Sequence, residues 1–408
     1  MRAEQVERLL LGGKTPLGGV RPRYADLGLP NVMASALAAR KVPPPSPPIP
    51  EKFLDPDLLR SRTVLVLAVD GLGYRQLLTA KKALGGLAIL DAAKEDGAFF
   101  PVTATLPSTT VAGIGSLCTA RSPQSHGLIG YRLFLRAFGA VANMIRFAPI
   151  DRSGPPWDPR GFLLGPTAFE LAAEKGVPPY VLTRDWFLGS ALSTMLHRGA
   201  ATAGYVAVSD FGVRLREITK VPKKKLVFAY WDAVDTISHR FGTENEEFLA
   251  EVATLDSVLE RELLRKGRDV TVLLTADHGH INTFARGRLD LRSLPALLDA
   301  LAVPPTGEPR LTYLHAKDGN AEALRALAAD SLGQWARVCT AKEAFAAKLF
   351  GEGEPAPEAV ERVGDVIAQP VRDRTLIYGY PGEKVDLFGR HGGLTAAEML
   401  VPCLVARR

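Results

Sequence analysis

Three apolar, valine-rich segments of the chain each end in an aspartate, at Asp70, Asp235 and Asp277, and the last of these is followed at once by His278. Each segment has the pattern of a strand that is buried on both faces of a parallel sheet. Carboxylates and imidazoles brought to one place are ligands that borderline divalent cations prefer. The pattern therefore indicates metal chemistry at the ends of strands.

Two further histidines extend this set. His239 follows Asp235 by four residues, the offset that places two side chains on one face of a helix, and His391 lies in the glycine-flanked sequence GRHGG. Taken singly, these residues have simpler interpretations: a helix cap for Asp70, an ion pair within one helix, and an exposed loop histidine. Taken together, three carboxylates and three imidazoles fit two divalent ions with open positions for substrate and water, zinc first and manganese second.

A row of hydroxyls supplies a candidate nucleophile. Ser108, Thr109 and Thr110 follow a proline turn and precede VAGIGSLCTA, which predicts a helix with small residues on one side. A threonine there has a structural interpretation as a helix cap. The functional interpretation is that a hydroxyl beside a metal becomes an alkoxide nucleophile, while N–H groups of the helix receive phosphate oxygens. Spacing alone leaves open which of the three hydroxyls attacks.

Other polar residues near these motifs have supporting interpretations. His126 is expected to order a turn through hydrogen bonds. His280 is expected either to support the metal ligands or to lie exposed at the rim of the site. Asp232 is expected to be structural or to support a ligand.

Alternating strands and helices must position these residues. The three strand patterns at 62–71, 225–235 and 269–279 are separated by helical patterns such as that at 244–267. This order predicts an α/β fold with a mostly parallel central sheet flanked by helices and right-handed crossovers. Ligands of such sheets bind outside the carboxyl ends of the strands, so the three aspartates are expected to converge there.

The domain organisation predicted from composition is one core with an insertion. Residues 137–165, rich in Gly and Pro, are expected to form loops over the site. The predicted parts are an N-terminal helical segment with a proline-rich connector (1–61), the core (62–284), a small inserted α+β subdomain that acts as a cap (285–385), and a return to the core with His391 (386–408).

Composition excludes several classes of protein. The 408 residues are 47% hydrophobic and 23% charged, which is typical of a folded globular chain. A net charge of +6 is spread along the sequence, so no nucleic-acid polymer is expected as a partner. Three dispersed cysteines without a CxxC pair predict buried reduced thiols. The absence of an apolar signal or span predicts a cytoplasmic protein without a membrane partner, whose oligomeric state the sequence leaves open.

The motifs in order, VDGLG, PSTT…CTARSPQSHG, DTISH, ADHG and HGG, resemble the alkaline phosphatase superfamily, and within it most closely the type I phosphodiesterase/nucleotide pyrophosphatase branch. The resemblance covers about residues 62–280 and the last twenty. It implies an alkaline phosphatase-like core with Thr110 as the nucleophile and Thr109 as the fallback. The implied ligands are Asp70, Thr110, Asp277 and His278 for one metal, and Asp235, His239 and His391 for the other.

The function that the resemblance implies is a two-metal phosphoester hydrolase, a phosphodiesterase/nucleotide pyrophosphatase that forms a covalent phospho-threonine intermediate. Its substrate would be a small phosphoester, with nucleotides among the candidates. The alternatives are a phosphomonoesterase or phosphonate hydrolase of the same superfamily, or a metal-binding scaffold without catalysis. The chain departs from the branch at Gly113, so backbone N–H groups there, or the guanidinium of Arg132, are the candidates for holding phosphate oxygens.

Overall fold

Two seven-stranded sheets organise the chain in the computed structural model, which describes residues 2–151, 153–382 and 386–408. The strands are β1 (Thr63–Val69), β2 (Gly97–Thr103), β3 (Arg132–Leu135), β4 (Ala140–Asn143), β5 (Ala148–Pro149), β6 (Pro179–Arg184), β7 (Ala201–Tyr205), β8 (Lys225–Trp231), β9 (Val270–Thr275), β10 (Ile281–Asn282), β11 (Arg288–Asp290), β12 (Thr306–Glu308), β13 (Leu311–Leu314), β14 (Ala336–Thr340), β15 (Val366–Pro370), β16 (Thr375–Ile377), β17 (Gly389–Arg390) and β18 (Leu400–Arg407). The helices are α1 (Ala3–Leu11), α2 (Leu29–Ala39), α3 (Tyr74–Ala83), α4 (Ala88–Glu95), α5 (Thr110–Thr119), α6 (Pro123–His126), α7 (Ala168–Glu174), α8 (Ala191–Leu196), α9 (Val208–Lys220), α10 (Ala233–Phe241), α11 (Glu246–Leu259), α12 (Pro295–Asp299), α13 (Ala321–Leu332), α14 (Ala341–Ala346), α15 (Pro357–Val363) and α16 (Ala396–Met399).

The central sheet has the strand order β2-β18-β9-β1-β8-β6-β7. Strand β1 pairs in parallel with β8 and β9, and β6 pairs in parallel with β8 and β7, whereas β18 is antiparallel to β2 and β9. The three predicted strands and their shared direction are confirmed. Because Val69 is in register with Trp231, the chain leaves β1 and β8 at the same level of the sheet.

Helices cover both faces of the central sheet, as its apolar strands require. All seven residues of β1 and all six of β9 are buried. Helices α2, α5 and α7 contact one another in one layer, while α3, α4, α9 and α11 pack together in another. The predicted helix at 244–267 is confirmed as α11, which continues into a π-helical turn at Glu260–Leu264. The fold is therefore the α/β layered structure that the alternation of patterns predicts.

The second sheet is antiparallel, with the order β14-β15-β13-β12-β3-β4-β5. The prediction of loops at 137–165 is wrong in part, because β4 and β5 lie there and pair with each other. Strand β3 pairs with β12 through Arg132 and Gly307, so this sheet joins residues on both sides of the predicted boundary at 285. On one face, a separate apolar cluster packs the sheet against α12 and α13.

The cysteines and the helices can each be compared with what the sequence predicts. Cys118, Cys339 and Cys403 are buried free thiols, as their spacing predicts, and burial raises the pKa of each. Within the described ranges, no helix combines the length and apolarity needed to cross a bilayer.

Candidate metal centre

The predicted ligands lie at the carboxyl ends of the central strands. Asp70 follows β1, Asp277 and His278 follow β9, and Asp235 and His239 occupy successive turns of α10, which begins just after β8. Since these three strands are adjacent and parallel, their ends deliver the side chains to one edge of the sheet. The convergence expected from the sequence is therefore what the structure shows.

Two hydrogen bonds of the Ser108 hydroxyl bring the remaining two residues to this edge. Thr110 is the first residue of α5, and His391 follows β17. Between them, the Ser108 hydroxyl donates to the carbonyl of Gly393 at 2.7 Å and accepts from the N–H of Gly392 at 3.1 Å. The start of α5 and the loop that carries His391 are thereby held together.

The first cluster contains Asp70, Asp277, His278 and Thr110. Nε2 of His278 lies 3.4 Å from Oδ1 of Asp70, 3.6 Å from Oδ2 of Asp277 and 3.3 Å from the Thr110 hydroxyl. The other carboxylate oxygens have donors: the Tyr230 hydroxyl donates to Oδ2 of Asp70, and the N–H groups of Gly71 and His278 donate to Oδ1 of Asp277. One oxygen of each carboxylate is thus fixed and the other faces the cluster.

The second cluster is built around Oδ1 of Asp235. Nε2 of His239 lies 3.4 Å from this oxygen, Nε2 of His280 lies 3.1 Å from it, and Nε2 of His391 lies 3.8 Å from it. The Nε2 atoms of His239 and His391 are 3.3 Å apart. The rings of His278 and His391 stack with their centroids 3.8 Å apart, so the two clusters adjoin.

Backbone carbonyls fix the orientation of the predicted histidine ligands. Nδ1 of His239 lies 2.8 Å from the carbonyl of Gly389. Nδ1 of His278 lies 3.2 Å from the carbonyl of Gly279, and Nδ1 of His391 lies 3.1 Å from that of Ser108. A carbonyl only accepts, so each Nδ1 carries the proton and each Nε2 of a neutral ring presents a lone pair. This is the outer support that metal-binding histidines generally have.

Burial and neighbouring charge set the protonation of the site. Burial, followed by repulsion from the other carboxylates, holds the pKa of Asp70 well above its usual value. Burial alone would raise the pKa of Asp235 as well, but the adjacent imidazoles hold it well below the usual value. Burial also lowers the pKa values of His239, His278 and His391. Burial thus favours the neutral form of these three imidazoles, which is the form that binds a metal.

Unpaired buried atoms test whether these residues fit metal ions. Oδ1 of Asp70, Oδ1 of Asp235 and Oδ2 of Asp277 are inaccessible to solvent and have no hydrogen-bond partner among the described residues. Buried carboxylate oxygens are costly without compensation, and here they face lone pairs of imidazoles, which offer no proton. Bound divalent cations would interact favourably with both the carboxylate oxygens and the imidazole nitrogens. The residues form two clusters, each of the size that a single ion needs.

The two groups that the sequence offered for phosphate binding, the Gly113 N–H and the Arg132 guanidinium, both donate hydrogen bonds within the protein. The N–H of Gly113 donates to the carbonyl of Thr109 at 2.8 Å within α5, so it is not free for a phosphate oxygen. The guanidinium of Arg132, in β3, donates to the carbonyls of Gly307 and Tyr378. The bond of Gly113 follows from helix geometry, and the bonds of Arg132 join it to residues far away in the sequence. The sequence alone predicts neither set of bonds.

The three residues that were expected to support the site make different contacts. His126 is buried, accepts from the N–H of Leu128 and contacts the Ser116 hydroxyl, so it orders the turn as predicted. Asp232 is structural, since it accepts from Arg184 at 2.6 Å. His280 is not at an exposed rim: it is 1% exposed and lies in the second cluster. Its DHGH context places it two residues beyond His278, which is the one sequence signal that pointed to it.

The fold and the paired clusters are those that an alkaline phosphatase-type metal-dependent hydrolase requires, and comparisons with known proteins show the family. The sequence profile of the family "type I phosphodiesterase/nucleotide pyrophosphatase" matches residues 64–394. The chain belongs to this family, whose members are metal-dependent hydrolases. Membership of this family makes the chain a hydrolase of the phosphodiesterase/nucleotide pyrophosphatase kind. No curated protein sequence matches it significantly.

Solved structures share the fold at low identity. Phosphonoacetate hydrolase from Sinorhizobium meliloti 1021, in complex with phosphonoformate, is 20% identical with a TM-score of 0.66, over 85% of this chain and 90% of that one. Murine ectonucleotide pyrophosphatase/phosphodiesterase 5, an inactive variant in complex with AMP, is 15% identical with a TM-score of 0.64, over 83% and 87%. The human counterpart is 14% identical with a TM-score of 0.60, over 84% and 87%. These likenesses confirm the alkaline phosphatase-like fold.

Proposed function

We propose that the chain hydrolyses small phosphodiesters, with nucleotides among the candidates, through a covalent ester on Thr110. One observation carries this proposal: the Thr110 hydroxyl lies 3.3 Å from Nε2 of His278, inside the cluster that also holds the free oxygens of Asp70 and Asp277. A hydroxyl placed among metal ligands is in position to lose its proton and attack phosphorus.

The start of α5 supports the binding of a phosphoryl group. Thr109 is the N-cap residue, and its side chain makes no capping hydrogen bond. The N–H groups of residues 110–112 have no partner within an α-helix, and they point toward the positive end of the helix dipole. These groups, rather than Gly113, are suited to receive the phosphate oxygens while the Thr110 hydroxyl faces phosphorus.

The proposed reaction has two displacements at phosphorus. Thr110 Oγ1 forms a bond to phosphorus as the bond to the leaving oxygen breaks; the hydroxyl proton is released and the leaving alkoxide takes up a proton. A water oxygen then bonds to phosphorus, the bond to Thr110 breaks, and Thr110 regains its proton. Divalent ions, when bound, lower the pKa of the hydroxyl and of water and offset the negative charge that develops on the oxygens.

The residues proposed to hold two ions are those of the two clusters. Asp70, Asp277 and His278 with Thr110 would hold one, and Asp235, His239 and His391 would hold the other. Three imidazoles and three carboxylates favour zinc, with manganese second.

A second candidate is phosphonate hydrolysis, in which the bond that breaks joins phosphorus to carbon. The observation that favours it is the shared fold with phosphonoacetate hydrolase over 85% of this chain. The same nucleophile and the same α5 N–H groups would serve either substrate, so the leaving group is what the experiment must distinguish.

Substitution of Thr110 tests the nucleophile. Thr110→Ala is expected to lower turnover of an aryl phosphodiester on the order of 10⁴-fold or more, because alanine has no hydroxyl to attack phosphorus. Thr109→Ala is the matched control, since its side chain caps nothing. Mass spectrometry of the wild type quenched during turnover should show Thr110 carrying the phosphoryl half of the substrate. Full activity of Thr110→Ala, or loss in Thr109→Ala instead, would refute the assignment.

Assays with aryl phosphodiesters, aryl phosphomonoesters, nucleotides and phosphonoacetate, each with Zn²⁺, Mn²⁺ or Mg²⁺, test the substrate class and the metal. We expect a phosphodiester to be the best substrate. Preference for phosphonoacetate would establish the second candidate, and metal binding without any turnover would indicate a scaffold.

We also propose that the protein is cytoplasmic. The support is that all three cysteines are buried and unpaired, which suits a reducing compartment. Fractionation of the native source tests this, and recovery outside the cytoplasm would contradict it.

A further inference from the structure

His280 is a buried imidazole that the ligand sets above leave unassigned. Its Nδ1 lies 3.2 Å from the carbonyl of Gly71, and its Nε2 lies 3.1 Å from Oδ1 of Asp235. Among the described residues, neither that Nε2 nor that carboxylate oxygen has a hydrogen-bond partner of acceptable geometry. Two buried polar atoms therefore face each other without being satisfied.

The contacts of the two ring nitrogens show which atom is left for a ligand. The carbonyl of Gly71 only accepts, so Nδ1 of His280 carries a proton and Nε2 is the ring nitrogen that faces Oδ1 of Asp235. Either a proton on Nε2 or a metal ion bound to both atoms would satisfy this buried pair. His239 and His391 show the same arrangement, with Nδ1 at a backbone carbonyl and Nε2 directed to the same oxygen of Asp235.

The ring positions are equivalent as well. The centroid of the His280 ring is 5.1 Å from that of His239 and 5.2 Å from that of His391, and these two are 5.0 Å apart. The three imidazoles thus form a nearly equilateral triangle around one carboxylate. Nothing in this geometry separates His280 from the two histidines that the sequence assigned to the metal.

We propose that His280 is a fourth protein ligand of the second ion, together with Asp235, His239 and His391. This inference rests on the proposed metal centre. Catalytic zinc sites usually have three protein donors and an open position. With His280, the second ion would have four protein donors, the same number as the first ion when the Thr110 hydroxyl is counted.

Gly71 makes room for this ligand. It has a φ of +74°, and a Cβ at this position would lie 2.5 Å from Cε1 of His280 and 3.1 Å from Cα of Asp235. A side chain at residue 71 would therefore displace the imidazole from this position. The glycine that follows Asp70 in VDGLG thus serves the second cluster as well as the turn after β1.

X-ray absorption spectroscopy of the zinc-loaded, full-length protein counts the imidazoles directly. We expect four imidazoles shared by two ions in the wild type and three in His280→Ala and in the polar variant His280→Gln. His315→Ala is the matched control, because His315 is buried in the second sheet beside Thr306 and should leave the count at four. The affinity for the more weakly bound ion, measured by competition with a chelator, should fall at least tenfold in both His280 variants and remain unchanged in the control.

The outcomes separate this inference from the proposed function. Three imidazoles for two ions in the wild type would overturn the assignment of His280 and leave the metal centre intact. The same holds if the count in His280→Gln stays at the wild-type value. A wild type that binds no ions would overturn the metal centre itself. The count in the wild type needs no substitution, so misfolding of a variant does not prevent the decision.

Discussion

The buried ion pair between Arg310 and Glu398 provides the sharpest test of how the fold holds the site. Both side chains are fully buried, with Nε of Arg310 3.0 Å from Oε1 of Glu398 and Nη2 2.9 Å from Oε2. The same carboxylate accepts from the N–H of Gly393, two residues after His391, and the Glu398 carbonyl accepts from the N–H of Gly279, which follows His278. One residue thus supports the loops of both clusters.

Arg310→Met should destabilise the protein by about 3–5 kcal/mol, because it retains most of the aliphatic stem but leaves a buried carboxylate without its cation. This is a large part of the roughly 5–15 kcal/mol by which a domain is stable. Urea unfolding of wild type and variant at the same zinc concentration measures the difference. Arg325→Met removes a solvent-exposed pair with Glu322 and is the control, for which no resolvable change is expected.

The pKa of Glu398 predicts how the stability difference between wild type and variant changes with pH. Although burial alone would raise the pKa of Glu398, Arg310 and the other donors hold it below its usual value. In the wild type, this contribution is fully present above the unfolded pKa of about 4.5 and is lost only as pH falls through the lower folded pKa. In Arg310→Met the buried carboxyl takes up a proton more readily, so acidification from pH 7 toward 4.5 stabilises the variant relative to the wild type. A loss below about 1 kcal/mol at pH 7, or a difference that does not shrink at pH 4.5, would refute this reasoning.

Two further predictions concern the first cluster. Tyr230→Phe removes the hydroxyl that donates to Asp70 and should weaken binding of one ion about 10–100-fold in a chelator competition; an unchanged affinity would contradict the supporting role of the hydroxyl. Gly113→Ala would place a Cβ 2.7 Å from Cβ of Asp277 and 2.8 Å from its carbonyl oxygen. The overpacking cost of roughly 1–3 kcal/mol should exceed the helix-propensity gain of about 1 kcal/mol, so the denaturation midpoint should fall; a raised midpoint would show that α5 moves freely away from β9.

Much of the site was predictable because its signals are local. The aspartates at the ends of β1 and β9 follow apolar runs that only a buried parallel strand explains, and the topology of such sheets dictates where their ends meet. The helix spacing of Asp235 and His239 is also local. His391 has the weakest local signal of the set, since nothing in GRHGG specifies contact with residues far away in the chain.

The features that escaped prediction depend on partners far apart in sequence. Strands β3, β4 and β5 have at most four residues each, too short for a periodic pattern, and β3 is fixed by pairing with β12. Lys225 ends a run of three lysines, a pattern typical of a solvated loop, yet it is buried at the start of β8, where its ammonium donates to the Thr63 hydroxyl and to the carbonyl of Thr219. Burial lowers its pKa to about 8. His280 belongs to the same group, because its role depends on Gly71 and Asp235.

Strand β18 gives the assembly of this protein a particular order in time. It inserts between the edge strand β2 and β9, so β2 is not joined to the central sheet until residues 400–407 have been synthesised. The loop with His391 and the helix with Glu398 lie just ahead of that strand. Until β18 is made, β2 and β9 would each present an unpaired strand edge to the solvent. Closure of the sheet and completion of the ligand set thus both depend on the segment from His391 to β18.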